Sequence, residues 1–257
     1  MEIIDNLRNE FNSSFNKLKE AEIKFYKSKY PDEEFPIPEI VASFNFKEDT
    51  INTYKEFNYP NEYILKVDKR ANWNTTAAIT IFNSNMNLPS KIIVNAFNSI
   101  NDTIFHELTH VSDYYSYCKS HNYLNYLELI QLKEFICIYL FSEFRAFYRG
   151  ILYCDEEIEK RVKYETTEFS KIQQATIDKQ NLEVYYYHSI KYISLYCVYL
   201  EKCVSKEEIT NILLDEDKNI LHIILKFLYP LRNKKFSEME IYFNDFQNIL
   251  DKMISKS

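Results

Sequence analysis

Glycine is almost absent from this sequence. The 257 residues contain one glycine, Gly150, and six prolines, whereas glycine makes up roughly 7% of an average protein. Because glycine is the residue that adopts positive φ most readily, the chain has few positions suited to tight turns of that kind. This composition favours long helices with few connections, and we expect helices to end at Tyr30-Pro31 and at Tyr229-Pro230.

A surplus of basic residues is also missing. The chain has 31 Lys and Arg against 38 Asp and Glu, which gives a net charge of −7 at pH 7. A protein that binds nucleic acid needs clustered Lys and Arg to contact the phosphates. We therefore expect no nucleic-acid partner.

We expect neither a transmembrane segment nor a secretion signal in this sequence. No segment approaches the about 18 apolar residues of a transmembrane helix, and residues 1–10 lack a basic start followed by an apolar stretch. We therefore expect no membrane partner and a cytoplasmic location. Cys-x-x-Cys pairs are absent, and four of the five cysteines lie in apolar runs, which predicts buried free thiols in a reducing compartment. The cysteines are Cys118, Cys137, Cys154, Cys197 and Cys203.

The apolar pattern changes along the chain. Residues 2–29 place apolar side chains at three- and four-residue steps, which predicts an amphipathic helix. Between residues 35 and 101, short β-type runs alternate with clusters of Asn, Asp and Pro, which predicts a small sheet. The predicted strands are Ile40–Phe46, Tyr63–Val67, Ala77–Phe82 and Ile92–Ala96.

Helical patterns dominate after residue 103. The fold class is α+β, with a small, mostly antiparallel sheet and a mainly helical C-terminal half. We expect one domain, 1–257, made of an N-terminal helix (1–34), the sheet with the two helices that follow it (35–154) and a helical C-terminal subdomain (155–257). The later helices are predicted at about Asn125 to Cys154, at 156–180, and at Val184–Lys202, Lys206–Leu228 and Phe236–Met253.

The segment 103–113, Thr-Ile-Phe-His-Glu-Leu-Thr-His-Val-Ser-Asp, contains a metal-binding pattern. His106 and His110 are four residues apart, so on an α-helix both imidazoles leave the same face and can bind one metal ion. Glu107 lies beside them, where it can act as a general base. This arrangement is typical of zinc hydrolases and predicts Zn²⁺ as the cofactor. We expect Asp102 to cap the helix.

A catalytic zinc has three protein ligands and one open position, so a third ligand must lie further along the chain. A third histidine six residues after the second is excluded, because that position is Ser116. The carboxylate candidates are Glu128, Glu134 and Glu143, all on the predicted helix from Asn125 to Cys154. Glu134 and Glu143 are nine residues apart, which puts them about 180° from each other around the helix axis.

The surroundings of these carboxylates favour Glu143 as the metal ligand. Glu143 lies among apolar residues, and a carboxylate on an apolar face needs a cation. Glu134 shares its face with Arg145 and Arg149, which we expect to form a solvated stripe. Glu128 is the alternative ligand, because it lies within about 60° of Glu143. Without a metal, Glu143 would need a salt bridge to a buried Arg or Lys.

Two further roles are assigned from position. Tyr139, one turn before Glu143, is the catalytic candidate for stabilising an oxyanion, with His188 and His222 as alternatives. Asp113 is predicted to accept a hydrogen bond from a ligand histidine or from the backbone, the alternative being a solvated helix residue.

The run Ala77–Phe82 is the most regular of the predicted strands. If it lies at an exposed edge of the sheet, it can bind the backbone of a peptide substrate as an added strand. Ile79 and Ile81 are the substrate-binding candidates on this run. The alternative is an ordinary interior strand.

The run from His106 to His110, His-Glu-Leu-Thr-His, resembles the motif of gluzincin peptidases such as the thermolysin family, which has the same five residues. The downstream part differs, because Ile130 and Phe147 stand where that family has its third ligand and an aspartate. The chain is more similar to the anthrax-lethal-factor-like and Pro-Pro endopeptidase zincins, in which the second histidine is followed by x-x-Asp and the ligand lies in Glu-Phe-x-Ala. Asp113 and Glu143-Phe144-Arg145-Ala146 match both features.

This resemblance covers roughly residues 77–150 and implies a zincin-like fold with zinc metallopeptidase activity on a peptide or protein substrate. It implies His106, His110 and Glu143 as zinc ligands and Glu107 as general base. One departure is Ile136, at the position where those enzymes have a tyrosine, and Tyr139 is the possible substitute. Compact zincins of phages and mobile elements share a similar core motif. The alternative function is a noncatalytic zinc-binding interaction module that uses the helical C-terminal half.

Overall fold

A computed structural model describes residues 2–98, 103–153, 157–176, 182–214 and 220–255. The chain divides into two compact units, residues 1–131 and 132–257. This division differs from the predicted subdivision of one domain at residues 34 and 154. The predicted subdivision stays a prediction. The fold is mixed, with a small three-stranded sheet and a predominance of helix. The predicted α+β class is therefore confirmed, whereas the zincin-like fold stays a prediction.

The first unit contains the N-terminal helix, the sheet and the motif helix. The helix predicted over residues 2–29 is confirmed as α1. Asp102, the predicted cap of the motif helix, lies outside the described residues. The elements are α1 (Glu2–Lys29), β1 (Glu39–Ser43), α2 (Phe46–Glu56), α3 (Asn61–Asp68), β2 (Ala78–Ile81), β3 (Lys91–Asn95), α4 (Thr103–Ser120) and α5 (Tyr126–Leu129).

The three strands are arranged in the order β1-β3-β2. β1 pairs with β3 in parallel, with Glu39 opposite Lys91, and β2 pairs with β3 in antiparallel orientation, with Ala78 opposite Val94. The sheet is thus half parallel instead of mostly antiparallel. The central strand β3 is the most deeply buried, as expected of a strand with neighbours on both sides.

The predicted strand Tyr63–Val67 is wrong, because these residues belong to helix α3. Ile64 and Val67 are buried, whereas Leu65 between them is 58% exposed. The two buried positions are three residues apart, which is the period of a helix face and does not fit the alternation of a strand. Pro60, whose φ of −58° suits the start of a helix, stands immediately before it.

Helix α4 packs against β2, β3 and α1. The Phe105 ring lies 4.9 Å from that of Tyr26 on α1, centroid to centroid. Beyond the end of α1, Glu33 accepts hydrogen bonds from Tyr26 Oη and from Ser112 Oγ of α4, both at 2.7 Å. These contacts hold the motif helix between the sheet and the N-terminal helix.

The second unit is helical in all of its described residues that belong to regular elements. The predicted stop at Tyr229-Pro230 is confirmed, since α10 ends at Leu228 and a short 3-10 turn follows. The elements are α6 (Phe135–Tyr153), α7 (Ile158–Thr176), α8 (Leu182–Cys203), α9 (Lys206–Leu214), α10 (Ile220–Leu228), the 3-10 turns Tyr229–Leu231, Phe236–Glu238 and Glu240–Tyr242, and α11 (Phe243–Ser255).

The single helix predicted from Asn125 to Cys154 is wrong in its first third. The short helix α5 is capped by Asn125, whose Oδ1 accepts from the Leu127 amide at 2.8 Å, and it ends at Leu129. Helix α6 begins only at Phe135. Glu128 therefore does not share a helix with Glu143, whereas Glu134 immediately precedes α6 and its carbonyl accepts a hydrogen bond from the Ile138 amide at 3.1 Å.

The predicted solvated stripe of arginines is also wrong. Arg145 and Arg149 are 1% and 5% exposed. Arg145 donates to the carbonyl of Lys234, and its guanidinium lies 5.9 Å above the ring of Phe236. The segment after α10 covers this face of α6, so the arginines are buried with partners and not solvated.

Three of the cysteines are buried free thiols, as expected: Cys118, Cys137 and Cys197. Cys203 is free but exposed, and Cys154 lies outside the described residues. Across the described ranges, no helix combines the length and the apolar character that crossing a membrane would take.

Candidate metal centre

Helix α4 brings the two histidines of the motif together. The Nε2 atoms of His106 and His110 lie 3.1 Å apart, and the two rings meet edge to face with centroids 4.8 Å apart. The spacing of four residues places both imidazoles on one face, as the sequence predicts. Their Nε2 atoms therefore converge on one point beside the helix.

The carboxylate of Glu143 belongs to the same group. One ligand atom each of His106, His110 and Glu143 lie within 4.8 Å of one another. His106 is half-buried, and the other two residues are each 7% exposed. Among the described residues this is a group of side chains that could hold a metal ion.

The donor set fits zinc. Zn–N bonds of about 2.0–2.1 Å and tetrahedral angles put two ligand nitrogens about 3.3 Å apart, close to the 3.1 Å between the Nε2 atoms. Two imidazoles and one carboxylate leave one position open, which is the ligand set of a catalytic zinc site. Imidazole also suits zinc better than magnesium or calcium, which prefer oxygen ligands. The identity of the metal and the role of Glu143 as its ligand stay predictions.

The alternative ligand Glu128 is outside this group. It is exposed on the short helix α5, and Glu134 is exposed just before α6. Neither is among the described residues that gather with the two histidines.

Glu107 is 8% exposed, and its Oε2 accepts a hydrogen bond from Thr80 Oγ1 at 2.6 Å. Thr80 lies on strand β2, so this bond joins the sheet to the motif helix. Sequence reasoning missed Thr80. Its position between Ile79 and Ile81 showed that it faces the opposite side of the strand, but not that this side faces α4.

Strand β2 lies at an edge of the sheet, as the substrate-binding prediction requires. Ile81, however, is 1% exposed, so its side chain packs in the core and only its backbone could contact a peptide. Ile79 is half-buried. The side chains of β2 that face α4 are those in register with Thr80, because side chains alternate along a strand. The role of the strand in substrate binding stays a prediction.

Asp113 is fully buried, which excludes the alternative of a solvated helix residue. Its neighbour Ser112 makes the bond to Glu33 described above. The role of Asp113 as hydrogen-bond acceptor for a ligand histidine or for the backbone stays a prediction.

The three candidates for an oxyanion donor all lie in the second unit. Tyr139 is half-buried and its ring stacks on that of Phe135 at 6.5 Å. Burial, reinforced by Lys191, lowers the pKa of His188, which favours its neutral form. His222 Nε2 is buried and has no hydrogen-bond partner in the described part of the chain. The catalytic role of Tyr139 stays a prediction.

A cluster of aromatic rings extends from His110 within the first unit. The ring of His110 stacks on Tyr114 at 6.0 Å, Tyr114 contacts Phe82 at 5.1 Å, and Phe82 stacks on Tyr126 at 4.4 Å. These contacts restrict the orientation of the His110 ring. The cluster could not be predicted from the sequence, because its members come from three separate segments of the chain.

The buried phenol of Tyr54 lies close enough to Glu107 to be affected by its charge. Burial and the neighbouring Tyr63 raise the pKa of Tyr54, and the charge of Glu107 adds to this shift. Tyr54 therefore stays protonated well above neutral pH, and its hydroxyl forms a hydrogen bond with Tyr63.

Comparisons with protein-family models, with curated proteins and with solved structures found no match to this chain.

Proposed function

We propose that this protein is a zinc-dependent metallopeptidase of the zincin type that hydrolyses peptide bonds. The observation that carries the proposal is the group of His106, His110 and Glu143, whose ligand atoms lie within 4.8 Å. Glu107 follows the first of these ligands on the same helix and is also buried. A metal-binding group with an adjacent carboxylate base is what metal-assisted hydrolysis requires.

The zinc ion would be bound by His106, His110 and Glu143. When bound, it supplies a Lewis acid that lowers the pKa of a water molecule and polarises the scissile carbonyl.

Glu107 carries the proton in this mechanism. Its carboxylate takes a proton from the water while the water oxygen forms a bond to the carbonyl carbon. The carbon–nitrogen bond then breaks, and Glu107 returns the proton to the nitrogen of the leaving amine. The carboxylate is regenerated, so one water molecule is consumed for each peptide bond.

We propose that the substrate is a peptide or protein segment in extended conformation. β2 lies at an edge of the sheet, and Thr80 of this strand contacts the base. An extended peptide that pairs with an edge strand forms backbone hydrogen bonds irrespective of its sequence. Such pairing beside Glu107 would bring a peptide bond to the base.

The rival interpretation is a zinc-binding interaction module without activity. A structural zinc site is usually closed by four protein ligands, whereas this group offers two histidines and one glutamate. A structural site also has no use for a buried carboxylate such as Glu107 next to the ligands. Both features favour the enzyme.

The proposal is tested by measuring bound zinc and peptide cleavage in the wild-type protein and in Glu107→Gln. We expect about one zinc per chain in both proteins. Cleavage of a peptide library should fall by about 10²- to 10⁴-fold in the variant, which is the usual contribution of a general base. The matched control is Glu134→Gln, an exposed glutamate outside the group, which should cleave at the wild-type rate. Zinc binding without cleavage in the wild-type protein supports the interaction module instead.

A further inference from the structure

Thr80 makes the single hydrogen bond that the Glu107 carboxylate receives within the described part of the chain. The donor is the hydroxyl Oγ1 and the acceptor is Oε2, at 2.6 Å. Both residues belong to the first compact unit. A hydroxyl that donates to a carboxylate at this distance makes a charge-assisted bond, the stronger class of hydrogen bond.

The register of β2 fixes the direction of this hydroxyl. Thr80 is opposite Ile92 of β3, and Ala78 is opposite Val94. A shift of one residue would turn Thr80 to the other face and bring Ile79 or Ile81 towards α4. Ile81 is held in the core at 1% exposure, so its burial helps to maintain the register that aims Thr80 at Glu107.

The hydrogen bond makes the two carboxylate oxygens of Glu107 different. Oε2 is engaged by Thr80, and Oε1 has no hydrogen-bond partner among the described residues. A glutamate side chain has several rotatable bonds, and a free carboxylate beside the histidines would sample many orientations. The bond from Thr80 selects one of them.

We propose that Thr80 is a positioning residue for the general base. Its hydroxyl holds Oε2 of Glu107 and thereby directs Oε1 towards the water whose proton is removed. This inference rests on the proposed function, and it adds that the edge strand itself orients the base. Since Thr80 acts through Glu107 and transfers no proton, it affects the rate of the chemical step and not the binding of substrate.

The first test compares Thr80→Val with Thr80→Ser in the zinc-loaded protein. Valine keeps the shape of threonine but removes the donor, so kcat should fall about 10- to 100-fold, the effect of losing one hydrogen bond to a charged group. KM should stay within about twofold and zinc content should not change. Serine keeps the hydroxyl and should restore most of kcat. Thr210→Val is the matched control, because Thr210 is exposed on α9 and donates only to the carbonyl of Lys206.

The second test needs no turnover. A small hydroxamate binds a zinc ion through two oxygens and donates a proton to a neighbouring carboxylate, so its affinity reports the position of Glu107. We expect Thr80→Val to weaken hydroxamate binding about 10-fold by calorimetry, and to have no further effect in a Glu107→Gln background. Thermal unfolding of each variant monitors the fold, and Thr80→Ala with Thr80→Ser is a second pair if the valine variant is unstable.

The outcomes separate this inference from the proposed function. If the wild-type protein cleaves peptides and Thr80→Val has the same kcat and hydroxamate affinity, the positioning role is overturned while the peptidase stands. Equal losses in Thr80→Val and Thr80→Ser likewise overturn it, because the hydroxyl is then irrelevant. A wild-type protein that binds neither zinc nor hydroxamate overturns both.

Discussion

Two glutamates in different parts of this chain are held in contrasting ways. Glu107 on α4 is 8% exposed and accepts one hydrogen bond, from the neutral hydroxyl of Thr80. Glu201 on α8 is more exposed and accepts two, from Tyr148 Oη at 2.5 Å and from Arg232 Nε at 2.9 Å. The more buried carboxylate therefore accepts fewer hydrogen bonds than the more exposed one.

The difference shows which acid serves the fold. Burial by itself raises the pKa of Glu201, but the bonds from Tyr148 and Arg232 outweigh it, so the net pKa lies below its ordinary value. Arg232 also lies 4.0 Å above the ring of Tyr229. The carboxylate of Glu201 thus links α6, α8 and the turn after α10. Because its two donors lower its pKa, it is a weak base.

Glu107 has the opposite arrangement. Within the described residues no cation pairs with its carboxylate, and only Oε2 accepts a hydrogen bond. A buried carboxylate left in this condition costs free energy that a purely structural residue would avoid. The contrast supports a chemical role for Glu107 and a cohesive one for Glu201.

Glu143 is a third glutamate, and its replacement has the largest expected effect on metal binding. It is 7% exposed and gathers with the two histidines, so we expect it to behave as a metal ligand and not as a structural acid. Glu143→Gln should weaken zinc binding by at least about 100-fold, since even residues that only orient a ligand contribute about 10- to 100-fold. Competition with a zinc chelator measures this affinity.

Glu128→Gln is the matched control for Glu143→Gln, because Glu128 is the other ligand that the sequence allows. It is exposed on α5, so its replacement should leave the zinc affinity unchanged. If Glu128→Gln loses zinc while Glu143→Gln retains it, the assignment of the third ligand is reversed.

The second prediction concerns the structural side of the comparison. Glu201→Gln removes the charge that receives Tyr148 and Arg232 but keeps the size of the side chain. We expect the free energy of unfolding to fall by about 1 kcal/mol, a value kept low because the side chain is partly exposed. Denaturant unfolding measures this loss, and peptide cleavage per folded molecule should not change. A loss of activity without a loss of stability would remove the distinction between the two acids.

The sequence could predict the motif helix because its chemistry is local. His106 and His110 need only the geometry of one helix to converge, and the period of residues 2–29 is sufficient to define α1. The role of Glu143 is harder to predict, because it lies on a different helix. Its position among apolar neighbours can nevertheless be recognised in the sequence. The arginine stripe expected beside Glu134 is buried, so the apolar neighbours of Glu143 are the part of the pattern that distinguishes it from Glu134.

The remaining features depend on contacts between distant segments. The burial of Arg145 is caused by residues near Lys234, and nothing near Arg145 in the sequence indicates them. Thr80 and Glu107 are 27 residues apart, and the alternation of a strand does not tell which face meets a helix. The region around Ile64 was misassigned because a short apolar run fits both a strand and a helix.

The smallest predicted effect is on acid stability. The folded-state pKa of Glu201 is lowered, so its charge stabilises the fold at pH values above its ordinary value of 4.5 and this contribution is lost as the pH falls through the lower folded-state pKa. Glu201→Gln has no such group to protonate, so the stability difference between wild type and variant should shrink below about pH 4.5. Urea unfolding from pH 3 to 7 measures it, with Glu208→Gln on the exposed helix α9 as control. A difference that is constant over this range would mean that Glu201 contributes through shape and not through charge.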